Sequence, residues 1–376
     1  MDPIVHVAAQ FVSAGSVATV QPYGSGNVND TFLVSVKPAR QNGETPKFIL
    51  QRINTHVFRQ PQLIVANMRR FTEHVQKRLT QENTERSRRW ESPTVIATRH
   101  GEDYWVDEKE GFWRAITLIE KAKTHPSILS ARHARESGYA LGRFQSLISD
   151  LDTNLLHDTL PGFHITPHYL TQYDSVLARY QQENHAASPR QREIDHCFEF
   201  VETHRKLAPL LEDARAAGRL TLRSIHGDPK VDNILIDDDT REAIGIVDLD
   251  TVKPGLVHYD VGDCLRSCCN PAGEETTDLS VVRFDTDLCQ VILDGYFEEA
   301  KRFFTPGDYA YLFDSIRLIA FELGLRFFTD FLAGDVYFRA KYPEHNLNRA
   351  LVQFKVAASV EAQEATIRKI TDVVRS

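Results

Sequence analysis

Three residues within one short stretch have the types and spacing to handle a phosphoryl group. In SIHGDPKVDNILIDDDTREAIGIVDL (224–249), Asp228 follows His226 and Gly227, Asn233 comes five residues later, and Asp248 closes an apolar run fifteen residues beyond Asn233. Phosphoryl transfer needs a carboxylate beside the attacking hydroxyl and a divalent cation across the phosphates. Asp228 suits the first task. The amide oxygen of Asn233 and the carboxylate of Asp248 are hard oxygen donors of the kind magnesium takes, with phosphate and water completing its shell. The plain alternative is an Asp/Asn-rich turn between two strands.

Elements must bring these three side chains together. The apolar runs Ile234–Ile236 and Ile244–Val247 flank acidic residues 237–239, which predicts a hairpin returning Asp248 to Asn233. Upstream, Ile4, Val5, Ala8, Phe11 and Val12 recur at helical spacing. Strands are expected at 17–20, 31–36 and 48–50, with a Gly turn (Tyr23-Gly24-Ser25-Gly26) between the first two, which reads as an antiparallel meander. A helical pattern covers 61–80, residues 81–92 read as a solvated charged loop, and strand-like runs follow at 94–98, 104–106 and 113–119. Beyond about Glu120 the pattern is mainly helical; Leu141, Phe144, Leu147 and Ile148 mark one helix face. The expected architecture is α+β, with a small β-rich lobe over residues 1–120 and a large, mainly helical lobe over 121–376.

Composition narrows the partners. Lys and Arg total 44 against 52 Asp and Glu, a net charge of −8, which argues against nucleic acid as the main partner. The five cysteines (197, 264, 268, 269 and 289) show no metal-ligand spacing and read as buried thiols of a reducing compartment. No signal peptide is evident at the N-terminus, and the longest apolar stretch, 309–332, is broken by Asp314, Arg317, Glu322, Arg326 and Asp330. A cytoplasmic chain without membrane spans or internal repeats is expected, and a monomer.

The order of Gly turn, third strand, helix, catalytic loop and metal Asp resembles the aminoglycoside phosphotransferase and choline kinase family, which has a protein-kinase-like two-lobed fold. There is no GxxxxGK[ST] of the other large phosphate-binding class. The segments YGSGNVNDTFLV (23–34), FILQRINTHVF (48–58), FHITPH (163–168), IVDLDTVKPG (246–255), YDVGDCLR (259–266) and GLRFFTDFLAGDVYFRAKYPEHNL (324–347) are similar to a subgroup that phosphorylates the anomeric hydroxyl of N-acetylglucosamine or N-acetylgalactosamine.

The resemblance implies ATP and Mg²⁺ as cofactors and a small sugar as partner. It implies Asp228 at the acceptor hydroxyl and Asn233 and Asp248 on the metal. It places Gly24, Ser25 and Gly26 over the phosphates, and the backbone around Ile119 at the adenine. Kinases of this fold put a Lys on the third strand, paired with a helix Glu; here the apolar run aligns Gln51 with that position rather than Arg52, and Glu73 is the candidate for the Glu. A neutral amide can only hydrogen-bond a phosphate. Arg326 and Tyr337 are implied at the sugar, together with Asn27, which stands where the subgroup implies His. Arg326 is also spaced for a charge ladder with Glu322 and Asp330. Asp260 and Asp263 are expected to anchor the catalytic loop. Other acceptors (an aminoglycoside, choline, homoserine or another sugar) and a non-catalytic nucleotide or sugar sensor are the alternatives.

Overall fold

In the computed structural model the described residues are 2–24, 28–38, 45–82, 88–183 and 189–375. The chain opens with α1 (Pro3–Gln10), capped by Asp2, whose side chain accepts the Ile4 N–H. Next come β1 (Ser16–Pro22), β2 (Asp30–Lys37), β3 (Lys47–Ile53), α2 (Pro61–Gln81), β4 (Val95–Ile96), β5 (Trp105–Val106) and β6 (Phe112–Thr117). They form one antiparallel sheet in the order β1-β2-β3-β6-β4, with β5 also paired to β6.

Alternation along β3 decides what faces the site. Phe48 and Leu50 pack with Val34, Trp113 and Ala115 against Val7 of α1 and Phe11 at its C-terminal cap. Ile49 points the other way, into a core shared with Met68, Phe71 and Val75 of α2. Gln51 lies on the Ile49 face, whereas Arg52 is on the opposite side, with its guanidinium 5.9 Å from the Trp113 ring centre.

The rest of the chain contributes β7 (Ala122–Lys123), α3 (Ala131–Ile148), α4 (Thr166–Tyr180), α5 (Gln191–His204), α6 (Leu210–Ala216), β8 (Arg223–Ile225), β9 (Ile234–Asp237), β10 (Ala243–Ile246), β11 (Lys253–Gly255), α7 (Val257–Cys268), α8 (Thr286–Ala300), α9 (Pro306–Ala310), α10 (Leu312–Leu332), α11 (His345–Ala362) and α12 (Glu364–Arg375). The expected hairpin is β9–β10, extended by β7 into a three-stranded sheet, while β8 pairs with β11. The expected face of α3 is buried: Phe144, Leu147 and Ile148 join Ile234, Ile236 and Leu249 in the core that also holds Ile49 and α2. One apolar cluster therefore spans the large sheet, α2, α3 and the hairpin. It fixes the cleft between them.

At the other side α3 meets α8 at very close range. A Cβ on Gly138 would lie 1.8 Å from the Ile292 carbonyl oxygen, so only glycine fits. All five cysteines are buried free thiols. Among the described residues, no helix is long and apolar enough to cross a membrane.

Candidate active site

The loop between β8 and β9 is held by buried polar contacts on three sides. Asp260, fully buried on α7, accepts the backbone N–H groups of His226 and Gly227 at 2.9 and 2.8 Å, and the Gln145 amide at 2.9 Å. This is the anchor expected of Asp260. Burial pushes its carboxyl above the usual range, against the hydrogen bonds that favour the anion. His226 is buried too, and desolvation holds its pKa below the ordinary histidine value. As a neutral ring it donates from Nε2 to the Val247 carbonyl at 3.0 Å and accepts the Asp228 N–H at Nδ1 at 3.2 Å. Gly227 sits at φ +90°, and a Cβ there would lie 2.8 Å from the Thr251 carbonyl oxygen.

His164 closes the third side. Its Nε2 donates to the Gly227 carbonyl at 2.8 Å and its Nδ1 lies 2.9 Å from the Glu322 carboxylate. Burial would lower its pKa, but the adjacent Glu322 outweighs burial and raises it. His164 is thus a strut of the loop.

The three residues singled out by spacing do converge. The Asn233 amide donates to the Asp228 carbonyl at 2.8 Å and to its carboxylate at 3.3 Å, which leaves the Asn233 amide oxygen outside these bonds. The Val247 N–H donates to the Asn233 carbonyl at 2.9 Å, so Asp248 follows directly beside Asn233. Asp248 adopts a left-handed backbone, φ 65° and ψ 57°, an uncommon conformation for a side-chain-bearing residue and frequent at functional sites. Burial, with Asp250 and Asp228 nearby, pushes its carboxyl up to about 7. Lys230, which the spacing argument passed over although it lies inside the motif, puts Nζ 3.2 Å from the Asp228 carboxylate. Asp228 is foremost in raising the Lys230 pKa, against the desolvation that lowers it.

These residues line a cleft of about 1070 Å³. At one end Gly24, at φ +75°, and Gln51 stand near an apolar slot of Ile49, Ile116, Ile119, Leu235 and Val247. Ser25, Gly26 and Asn27 lie outside the described residues. Beside Gln51, in register on β6, is Arg114. Its Nε and Nη2 donate to the Gln51 side-chain amide oxygen, Oε1, at 3.0 and 2.7 Å, and Nη2 also bonds the Asp250 carboxylate. Asp250 further accepts from the Asn29 amide at 2.6 Å. Nothing in the sequence period singled out Arg114 or Asp250; their meaning comes from strand register and from the return of the chain after Asp248.

At the other end Arg326 of α10 lies 5.2, 4.7 and 5.3 Å from the ring centres of Phe163, Tyr169 and Phe338. Arg326 and Tyr337 both reach the cleft. The charge ladder does not form in the expected way. Glu322 is taken by His164 and by the Thr166 hydroxyl at 2.6 Å, and Asp330 accepts the N–H groups of Val336, Tyr337 and Phe338 at 3.0, 2.7 and 2.9 Å. Asn346, from the YPEHN segment (342–346), ties the same loop down through Asp330 and Asp335 at 3.1 and 2.8 Å.

Three further expectations are corrected. Glu73 does not face Gln51: its side chain is 65% exposed and lies 3.6 Å from Arg69 one helical turn away. The carboxylate beside Gln51 is Asp250. Asp263 does not bond the catalytic loop; it accepts Arg266 at 2.7 and 3.0 Å, because Arg266 is buried with it and must be neutralised. Within 81–92, residues 83–87 lie outside the described residues, but Arg88 and Arg89 are docked rather than solvated: Arg88 stacks 3.6 Å over Tyr139, and Arg89 bonds Asp237 at 2.9 Å.

A β-meander sheet over a helical body, with an Asp–Asn–Asp set on a loop and hairpin between them, defines the protein-kinase-like α+β class. The chain belongs to the phosphotransferase enzyme family, whose family model matches residues 19–285. Among solved structures it is similar to an aminoglycoside phosphotransferase from Alicyclobacillus acidocaldarius, at 14% identity and TM-score 0.61, covering 100% of this chain and 97% of that one. It is similar to a choline kinase from Cryptosporidium parvum at 13% identity and TM-score 0.55, covering 95% and 93%. A spectinomycin phosphotransferase in complex with ADP and spectinomycin matches at 12% identity and TM-score 0.51, covering 92% and 94%.

Proposed function

We propose that this phosphotransferase is an ATP- and Mg²⁺-dependent kinase of a small sugar, acting at the anomeric hydroxyl of an N-acetylhexosamine. Residues 1–120 would serve as the nucleotide lobe and 121–376 as the catalytic and sugar-binding lobe. The observation that carries the sugar reading is the setting of Arg326, a guanidinium ringed by Phe163, Tyr169 and Phe338 at the far end of the cleft. Its donors suit hydroxyl and acetamide oxygens, and aromatic faces suit a sugar ring. A cationic acceptor, such as an aminoglycoside or choline, would want free carboxylates. Of the carboxylates lining the cleft, Asp263 is ion-paired with Arg266, and Glu274 with Arg266 and Arg349, while Asp335 accepts only the neutral Asn346 amide.

The donor set suits the cofactors. Asn233 and Asp248 offer only oxygen, and the crowding of Asp248 with Asp250 and Asp228 leaves a local excess of negative charge that a hard cation relieves. Magnesium there would neutralise charge on the phosphates. Ile119 and the apolar slot would hold the adenine, and Gly24, Ser25, Gly26 and Gln51 the phosphates. Asp228 orients the acceptor hydroxyl and takes its proton as the new phosphorus–oxygen bond forms and the bond between the γ-phosphorus and the departing ADP oxygen breaks. An anomeric hydroxyl is more acidic than an ordinary alcohol, so a carboxylate is base enough. Lys230, 3.2 Å from Asp228, would add positive charge beside the base. Arg326, Tyr337 and Asn27 would hold the sugar.

The test is consumption of ATP against a panel of free sugars, with phosphorus NMR of the product. A C1 phosphate of an N-acetylhexosamine is expected. A C6 phosphate, or no turnover with any sugar, rejects the sugar 1-kinase reading.

A further inference from the structure

Kinases of this architecture set a lysine on the third strand, paired with a helix glutamate, at the nucleotide phosphates. Here Gln51 holds that position and carries no charge. We propose that Arg114, one strand over, does the lysine's work: it supplies the positive charge for the α- and β-phosphates and presents the Gln51 amide to them. The proposal rests on the nucleotide-kinase reading above and names what neutralises the phosphates within it.

Four observations carry it. Arg114 is opposite Gln51 in the β3–β6 register and only 1% exposed, yet it forms part of the cleft wall. Its Nε and Nη2 both donate to the Gln51 side-chain amide oxygen, which fixes the amide so that its NH₂ points away from the guanidinium. One of those two N–H groups reaches the Thr31 hydroxyl at 3.2 Å, and the other remains for a ligand. Asp250 pairs with the same guanidinium, as a helix glutamate pairs with the usual lysine, but comes from the loop that follows Asp248. Finally, Arg114 Nη1 is buried without any hydrogen-bond partner. A buried guanidinium is costly unless its charge is compensated and its donors are used. An anionic ligand at Gln51 would lower that cost, and no neutral ligand would do so as well.

Gln51 is the residue that would touch the phosphate; Arg114 acts through it and through its field. That division separates the role from simple architecture. A strut that only ties β6 to Asp250 affects the fold without regard to the ligand's charge. A charge-supplying Arg114 discriminates ADP from adenosine.

The experiment is calorimetric binding of Mg²⁺–ADP and of adenosine to the full chain, with melting temperatures recorded for each variant. Arg114→Met is expected to weaken ADP about 10- to 100-fold, the size of a lost charged hydrogen bond, and to leave adenosine within about 2-fold. Arg114→Met with Gln51→Lys, which returns a cation to β3, is expected to regain most of that loss. Gln51→Glu serves if Arg114→Met fails to fold: it sets a carboxylate before the phosphates and should weaken ADP but not adenosine. ADP affinity unchanged in a folded Arg114→Met or in Gln51→Glu overturns the proposal while the nucleotide site stands. A wild-type chain that binds neither ligand overturns both.

Discussion

His226 donates through Nε2 to the backbone carbonyl of Val247 at 3.0 Å, and so couples the loop that carries Asp228 to the residue just before Asp248. The ring's other nitrogen accepts the Asp228 N–H, so one neutral imidazole sets the spacing between Asp228 and Asp248. The carboxylates can then differ in task while sharing a scaffold.

If Asp228 is the base, Asp228→Asn should lower kcat by about 100-fold or more, the range of general base catalysis, while ADP affinity stays near wild type. Activity above a small fraction of wild type, measured by ATP consumption with the best sugar, would remove Asp228 from that role. Its near-isosteric replacement keeps the contact with Asn233, so a structural explanation for lost activity can be checked by melting.

Asp248 makes the metal-free protein sensitive to pH. Its carboxyl titrates at about 7 in the fold against an unperturbed value of 3.8. Between these values the folded chain holds a proton that the unfolded chain has lost, so stability falls as pH rises and the penalty is complete above about 7. On the proposed reading, Mg²⁺–ADP would bind the ionised form. The rise in melting temperature on adding Mg²⁺–ADP should therefore be larger at pH 8 than at pH 6, and Asp248→Asn should abolish that difference.

On the proposed reading, Arg326 faces the acceptor rather than the nucleotide. Arg326→Gln should raise KM for the sugar about 10- to 100-fold and change ADP affinity little. A variant that loses ADP binding instead would show that the aromatic surround of Arg326 holds the cleft open rather than holding the sugar.

Gly227 cannot be replaced without strain, since φ is +90° and Thr251 crowds the missing Cβ. Gly227→Ala should cost about 1–3 kcal/mol in denaturant unfolding. Because the loop shifts with it, turnover should fall further than the stability loss alone explains, which comparison at a temperature well below melting will show.

The alternation in FILQRI, the apolar runs about residues 237–239 and the acid–amide–acid spacing were enough to read the meander, the hairpin and the Asp228, Asn233 and Asp248 set, because strand period and local turns are properties of neighbouring residues. Period 2 sends Gln51 and Arg52 to opposite faces, and alignment of the apolar run favoured Gln51. Only the tertiary structure decided which charges meet. Arg114 and Asp250 pair across 136 residues of chain, Glu322 goes to His164 rather than to Arg326 four residues away, and Glu73 turns to solvent. Ion pairs follow proximity and burial in the folded chain, and a buried guanidinium takes whichever carboxylate the fold brings to it; no local period encodes that choice.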